Sequence, residues 1–145
     1  MNESKHERGQ GLVEFALILP ILLLTVLLFM YFAQLFNTWS GLQAGAVAGA
    51  RQASDSGSVV GVDVVVQETL QAHAVDPSDV VVSTTVLNPD GSPKICWVEP
   101  CPVEFGDLVL VEVVKPFEIR VLGWRAEGEL PASHQVRAQH GAWVP

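Results

Sequence analysis

The chain is short of positive charge. Eight lysines and arginines stand against sixteen aspartates and glutamates in 145 residues, for a net charge of −8. The acidic residues from Asp55 to Glu129 stand singly, and no basic stripe runs beside aromatics. Such a surface repels polyphosphate and anionic lipid, which argues against nucleic acid as a partner. Cysteine is scarce as well: only Cys96 and Cys101 occur. Two thiols with no histidine near them in sequence cannot supply a four-ligand zinc site. They fit one disulfide in an oxidising compartment, closing a short loop around Trp97-Val98-Glu99-Pro100, or else two reduced, buried thiols. The histidines are His6, His73, His134 and His140. On a regular strand His134 and His140 would lie about 20 Å apart, too far to share a metal. Ser133-His134 has no third partner for a triad. No serine sits in a G-x-S-x-G elbow, and no glycine-rich phosphate loop is present. The sequence therefore suggests no catalytic residue, no cofactor and no metal site, and the chain reads as a non-enzyme. Trp97, Trp124 and Trp143 read as core or rim packing rather than a ligand box.

What the chain has in abundance is apolar side chains, 49% of the total, and they are unevenly placed. The densest block lies between Leu12 and Phe36. Phe15 to Ala33 are 19 residues without a charge. At a rise of about 1.5 Å per residue such a helix covers roughly the hydrocarbon thickness of a bilayer. Thr25 can bond its own backbone carbonyls. Pro20 removes one helical hydrogen bond and predicts a kink or a local wet patch. Lys5 and Arg8 precede the block and the next cation is Arg51, so the positive-inside rule puts the N-terminus in the cytoplasm and the C-terminal part across the membrane, periplasmic or extracellular. Tyr31 and Trp39 fall near the outer interface. A cleaved secretory signal is the competing reading. Ala46-Val47-Ala48 and Ala48-Gly49-Ala50 are A-x-A sites, but they lie about ten residues beyond the apolar stretch, which is itself longer than a usual signal core.

One carboxylate opens the apolar helix, in the run Arg8-Gly9-Gln10-Gly11-Leu12-Val13-Glu14-Phe15-Ala16-Leu17. A charge in hydrocarbon costs about 2.5–3.5 kcal/mol on insertion scales. At headgroup depth Glu14 would pay little, and it would face the positive end of the helix dipole. Glu14 is also the fifth residue after Gly9. This pattern resembles the class III signal of type IV pilins and pseudopilins. More narrowly, Gly9-Gln10-x-x-Val13-Glu14-Phe15-Ala16-Leu17-x-x-Pro20 is similar to the TadE-like family, minor pseudopilins of the tight-adherence (Flp) pilus system. The likeness is specific from residue 8 to about 36 and looser over the alanine-rich stretch from Ala44 to Ser54. It implies that a prepilin peptidase cuts between Gly9 and Gln10. It also implies that Glu14 and Phe15 form the glutamate–aromatic pair used in assembly, with Glu14 meeting the freed α-amino group of a neighbour. The implied partners are membrane lipid, the peptidase, other pilins or pseudopilins and the inner-membrane platform of a pilus machine.

Beyond the span, Gly41, Gly45 and Gly49 recur at every fourth residue with alanines alongside. They read either as a face that a second helix approaches closely or as a weakly helical neck. Ser54-Asp55-Ser56-Gly57-Ser58 is a polar break. Val62, Val66, Leu70 and Val65, Thr69, His73 follow helical spacing, predicting a helix from Asp63, its N-cap, to Ala74. Alternation predicts a strand from about Asp79 to Leu87, a turn at Asn88-Pro89-Asp90-Gly91, and a strand from Asp107 to Lys115. A further series, Phe117, Ile119 and Val121, follows Pro116, and a last strand spans Ser133 to His140. The expected fold is α+β. Residues 1–9 form a cytoplasmic leader, 10–53 a transmembrane helix with its extension, and 54–145 an exported domain with a short helix and a three- to four-stranded antiparallel sheet. The expected role is assistance in pilus assembly through protein–protein contact. A single-pass envelope binding module unrelated to pili is the alternative.

Overall fold

The computed structural model describes residues 4–97, 100–121 and 123–139, with only the backbone described for 4–10, 120 and 121. In chain order the elements are α1 (Ser4–Ser56), α2 (Val62–Ala72), β1 (Val81–Leu87), β2 (Leu108–Val121) and β3 (Trp124–Arg137). The fold is α+β, as expected, with three strands among the described residues. The chain divides into two compact units, Met1–Phe36 and Asn37–Pro145.

The first unit is helical. Its leucines, isoleucines, valines and phenylalanines from Leu12 to Phe36 are exposed, Leu35 alone being half-buried, so the described residues give them little cover. By length and composition this helix can cross a membrane. Thr25 Oγ1 donates to the carbonyl of Ile21 at 2.8 Å, the local bond expected of it. Pro20 cannot donate to the carbonyl of Ala16, yet α1 continues through it.

The second unit packs the last turns of α1 and all of α2 on one face of the sheet. Along α1, Leu42, Ala46, Ala50 and Ala53 recur at helical spacing and are buried. Val62, Val66 and Leu70 answer them from α2, and Val109, Val111, Val113 and Ala132 from the sheet. The helix outlasts the expected break at 53 and ends at Ser56, where Gly57 takes φ 66° and closes it with a left-handed residue.

Two features of α2 correct the sequence expectation. Its N-cap is Gly61, at φ 79° with no side-chain cap, and Asp63 lies inside the first turn. There its charge still faces the positive end of the helix dipole. The helix also stops at Ala72 rather than Ala74. Ala74 adopts φ 56°, its N–H donates to Gln71 and that of Val75 to Leu70, which makes a Schellman motif with alanine where glycine is usual.

The sheet is antiparallel in the order β1-β2-β3, with Val81 opposite Val114 and Leu87 opposite Leu108. The turn at Asn88–Gly91 forms as expected: Gly91 N–H donates to Asn88 at 2.8 Å, and Gly91 takes φ 86°. Ser92 donates from backbone and hydroxyl to Asp90, and these bonds hold the Asp90 carboxyl below its ordinary pKa. The series on either side of Pro116 proves to be one strand of 14 residues. Proline is tolerated because β1 stops pairing at Val114, so its missing N–H breaks no ladder bond on that side. β3 begins at Trp124, well before the expected Ser133, and ends at Arg137; His140 lies outside the described residues. Beyond Val114, β2 and β3 run on together as a two-stranded arm from Lys115↔Leu130 to Val121↔Trp124.

Candidate functional site

The candidate assembly signal lies at the start of α1. Gly9 and Gln10 are helical, and their side-chain surroundings are not described. Glu14 is the only charged residue between Arg8 and Arg51. It is exposed on the helix together with Phe15. A carboxylate in a run of apolar side chains can lower its cost in a bilayer in more than one way. It can stay at headgroup depth, or it can meet a cation brought by a partner.

The glycine row lies elsewhere, inside the second unit. A Cβ built on Gly41 would sit 2.8 Å from Val75 Cγ2 and 3.2 Å from His73 Cβ. One on Gly45 would meet Val66 Cγ1 at 3.3 Å, and one on Gly49 would meet Val66 Cγ2 at 2.8 Å and Val62 Cγ1 at 3.0 Å. A second helix does approach this face closely, and it is the chain's own α2. A large side chain on this row, as in Gly45→Leu, would therefore meet Val66 and Leu70 of α2.

Cys96 and Cys101 form a disulfide, with Cα atoms 5.3 Å apart, in the connection between β1 and β2. That connection is fastened at several points. Ser58 and Pro102 form an isolated bridge, and Val103 N–H donates to Gly57 at 3.0 Å. Lys94 Nζ lies 2.7 Å from Asp107 and 3.1 Å from Glu104, and also donates to the carbonyl of Pro102. Asp107, buried, accepts the N–H of Glu104 at 2.8 Å. Burial pushes the Lys94 ammonium down, but its hydrogen bonds to Asp107 and Glu104 outweigh this and leave its pKa raised. Nothing in the spacing of Lys94, Glu104 and Asp107 marks them as partners, and sequence reasoning missed the group.

Among the described residues no three His, Cys, Asp or Glu side chains are placed to hold a metal ion. His73 caps α2, and His134 lies half-buried on β3 opposite Val111. The tryptophans narrow another expectation. Trp97 and Trp124, read as core or rim packing, are 91% and 83% exposed and so lie outside the core. Both sit where the chain has left the core, Trp97 in the disulfide loop and Trp124 at the end of the arm. Trp143 lies outside the described residues. The arm was the other feature missed. A signal for it existed, because Trp124, Ala126, Gly128 and Leu130 alternate with Arg125, Glu127, Glu129 and Pro131 at the period of a strand. The charges and the glycine masked it.

No curated protein and no solved structure matches the chain. A family model described as TadE-like protein does match residues 9–51, from Gly9, through Glu14 and Phe15, to Arg51, so this stretch of the chain is similar to that family.

Proposed function

We propose that this chain is a membrane-anchored, pseudopilin-like component that assists assembly of a tight-adherence pilus by protein–protein contact rather than by catalysis. The observation that carries this reading is the match of residues 9–51 to the TadE-like family, a stretch that includes a lone carboxylate, Glu14, five residues after Gly9. In this reading the apolar part of α1 anchors the chain in the cell membrane, the N-terminus faces the cytoplasm, and the second unit lies on the far side. A prepilin peptidase removes residues 1–9 and frees the amino group of Gln10. Glu14 then meets the freed amino group of a neighbouring pilin or pseudopilin. Two opposite charges in a medium of low dielectric attract strongly, and neither is tolerated there alone, so the pairing sets the axial register between neighbours. Phe15 supplies apolar surface beside it.

The test is the mass of the protein extracted from membranes of cells with and without the peptidase. The expected product begins at Gln10 only where the peptidase is present. An intact chain from Met1 in both cells refutes the processing step. Glu14→Gln should leave membrane insertion unchanged and lower recovery with other pilus components. Equal recovery would remove Glu14 from assembly.

A further inference from the structure

The face of the sheet that forms the core does not stop where the core stops. Val109, Val111 and Val113 on β2 and Ala132 on β3 are buried beneath the helices. The same face continues along the arm as Lys115, whose Nζ donates to the Asp76 carbonyl, then Phe117 and Ile119 on β2, and as Leu130, Gly128, Ala126 and Trp124 on β3. Phe117 lies over Gly128, where a Cβ would come within 2.7 Å of its ring, so the glycine makes room for a flat aromatic surface. The opposite face is charged. Glu118 and Glu127 stand across from each other, and Arg125 binds both, at 2.6 Å and 3.6 Å. The arm is therefore an amphipathic hairpin with an apolar face, and at its end is an indole that the described residues leave exposed.

Its direction within the second unit follows from three contacts. Ser54 donates to the carbonyl of Arg137, in the first row of the β2–β3 ladder. The Gly49 position meets Val111, three rows further on. Gly41 meets Val75, and the carbonyl of the next residue, Asp76, accepts a bond from Lys115 Nζ, at the base of the arm. Followed backward, α1 thus runs from the Arg137 end of the sheet to the Lys115 end, and the arm projects onward in that sense. It points to the end of the unit where the chain enters at Asn37, and the residues just before Asn37 are the apolar helix. From Lys115 to Val121 the arm extends about 20 Å. Only about 6 Å of helix separates Gly41 from Asn37.

We propose that the β2–β3 arm is a second membrane contact, with Trp124, Phe117 and Ile119 seated in the interfacial layer of the bilayer. The proposal rests on the anchoring of the N-terminal helix in that bilayer. A tryptophan with an apolar body and one N–H suits the headgroup level, and phenylalanine and isoleucine reach just below it. The charged face of the hairpin, with Glu118, Arg125 and Glu127, stays in water. From Asn37 onward the chain carries six lysines and arginines against thirteen aspartates and glutamates, so apolar insertion, not attraction to anionic lipid, drives the contact.

The test uses the full chain, labelled with fluorotryptophan, in phosphatidylcholine nanodiscs. Its four tryptophan signals are assigned by single Trp→Phe variants. Spin-labelled lipid should broaden the Trp124 signal several-fold more than that of Trp97, while a water-soluble relaxation agent should do the reverse. Trp97 is the internal control, equally exposed but in the loop fastened to Ser58 at the opposite end of the unit. Trp124 broadened by the aqueous agent as strongly as Trp97, in discs that hold the protein, overturns the proposal and leaves the anchor intact. Trp124 shielded only when other envelope proteins are added, and open to water in lipid alone, also overturns it and assigns the arm to a protein partner. A chain that fails to enter discs at all overturns the anchor reading, and this one with it.

Discussion

The close approach of α2 to the glycine row can be tested by adding one methyl group at each of two positions a single helical turn apart. Gly45→Ala and Gly49→Ala gain the same helix propensity, about 1 kcal/mol. Both also lower the entropy of the unfolded chain by the same amount. Their difference therefore isolates the space available. At Gly45 the new Cβ has one tight neighbour, Val66 Cγ1 at 3.3 Å, and the rest lie at 3.7 Å. At Gly49 it meets Val66 Cγ2 at 2.8 Å and Val62 Cγ1 at 3.0 Å, with Val111 Cγ1 behind at 3.5 Å. Val62, Val66 and Val111 are buried, and β-branched side chains are stiff about χ1, so these methyls cannot swing away. Overpacking of this kind costs about 1–3 kcal/mol. Gly45→Ala should be neutral or slightly stabilising, and Gly49→Ala should be less stable than it by about 1–3 kcal/mol. In thermal unfolding of the full chain in detergent, followed by the far-ultraviolet signal of the sheet, each kcal/mol moves the midpoint by roughly 4 °C. Adding Val66→Ala to Gly49→Ala should recover part of the overpacking cost, which a double-mutant cycle reads directly. A Gly49→Ala protein as stable as the Gly45→Ala protein would mean that α2 does not lie against this face as described.

Other expectations follow from the same unit. Asp107→Ala leaves the Lys94 ammonium with only the exposed Glu104 and the Pro102 carbonyl and removes the acceptor of the Glu104 N–H, so it should cost about 3 kcal/mol in denaturant unfolding. The Lys94 pKa is raised above its ordinary 10.5, so the stability it contributes is fully present below that pH and is lost as pH rises through the folded value; Asp107→Asn should flatten this alkaline loss. Reduction of Cys96–Cys101 should take thiol titration of unfolded protein from none to two and lower stability by about 2 kcal/mol, because the closed loop is short. Ala74→Gly should raise stability by about 0.5 kcal/mol, since a left-handed alanine costs roughly 1–2 kcal/mol and the added freedom of glycine in the unfolded chain returns part of it.

What the sequence made legible, and what it did not, divides along the range of the interactions. The apolar run from Leu12 to Phe36, the Val62-Val66-Leu70 stripe and the turn at Asn88–Gly91 depend on neighbours within a few residues, and each appears in the structure where the pattern placed it. The candidate signal from Gly9 to Phe15 was equally local, because its information lies in spacing along a single helix. The ends of elements were less legible, because they are set by competition. Asp63 is a good capping residue, but Gly61 can take the left-handed turn out of the preceding loop, and it fixes the helix start two residues earlier. The ion group of Lys94, Glu104 and Asp107 joins residues brought together by a loop whose course is set by bridges to Ser58 and Leu87, and no periodicity encodes that. The glycine row shows the limit most clearly. Its spacing announced a close helix contact without naming the partner, since a small residue every fourth position serves a neighbour in the same chain as well as one from another. The partner is settled by the far side of the contact, where Val62, Val66 and Leu70 present a matching row and the valines of β2 complete the pocket. With that face occupied within the chain, surfaces for other proteins or for lipid must be sought where apolar side chains remain uncovered, among them Trp124 on the arm, Trp97 in the disulfide loop, and Val60, Val64, Val81, Ile95 and Phe105 elsewhere in this unit.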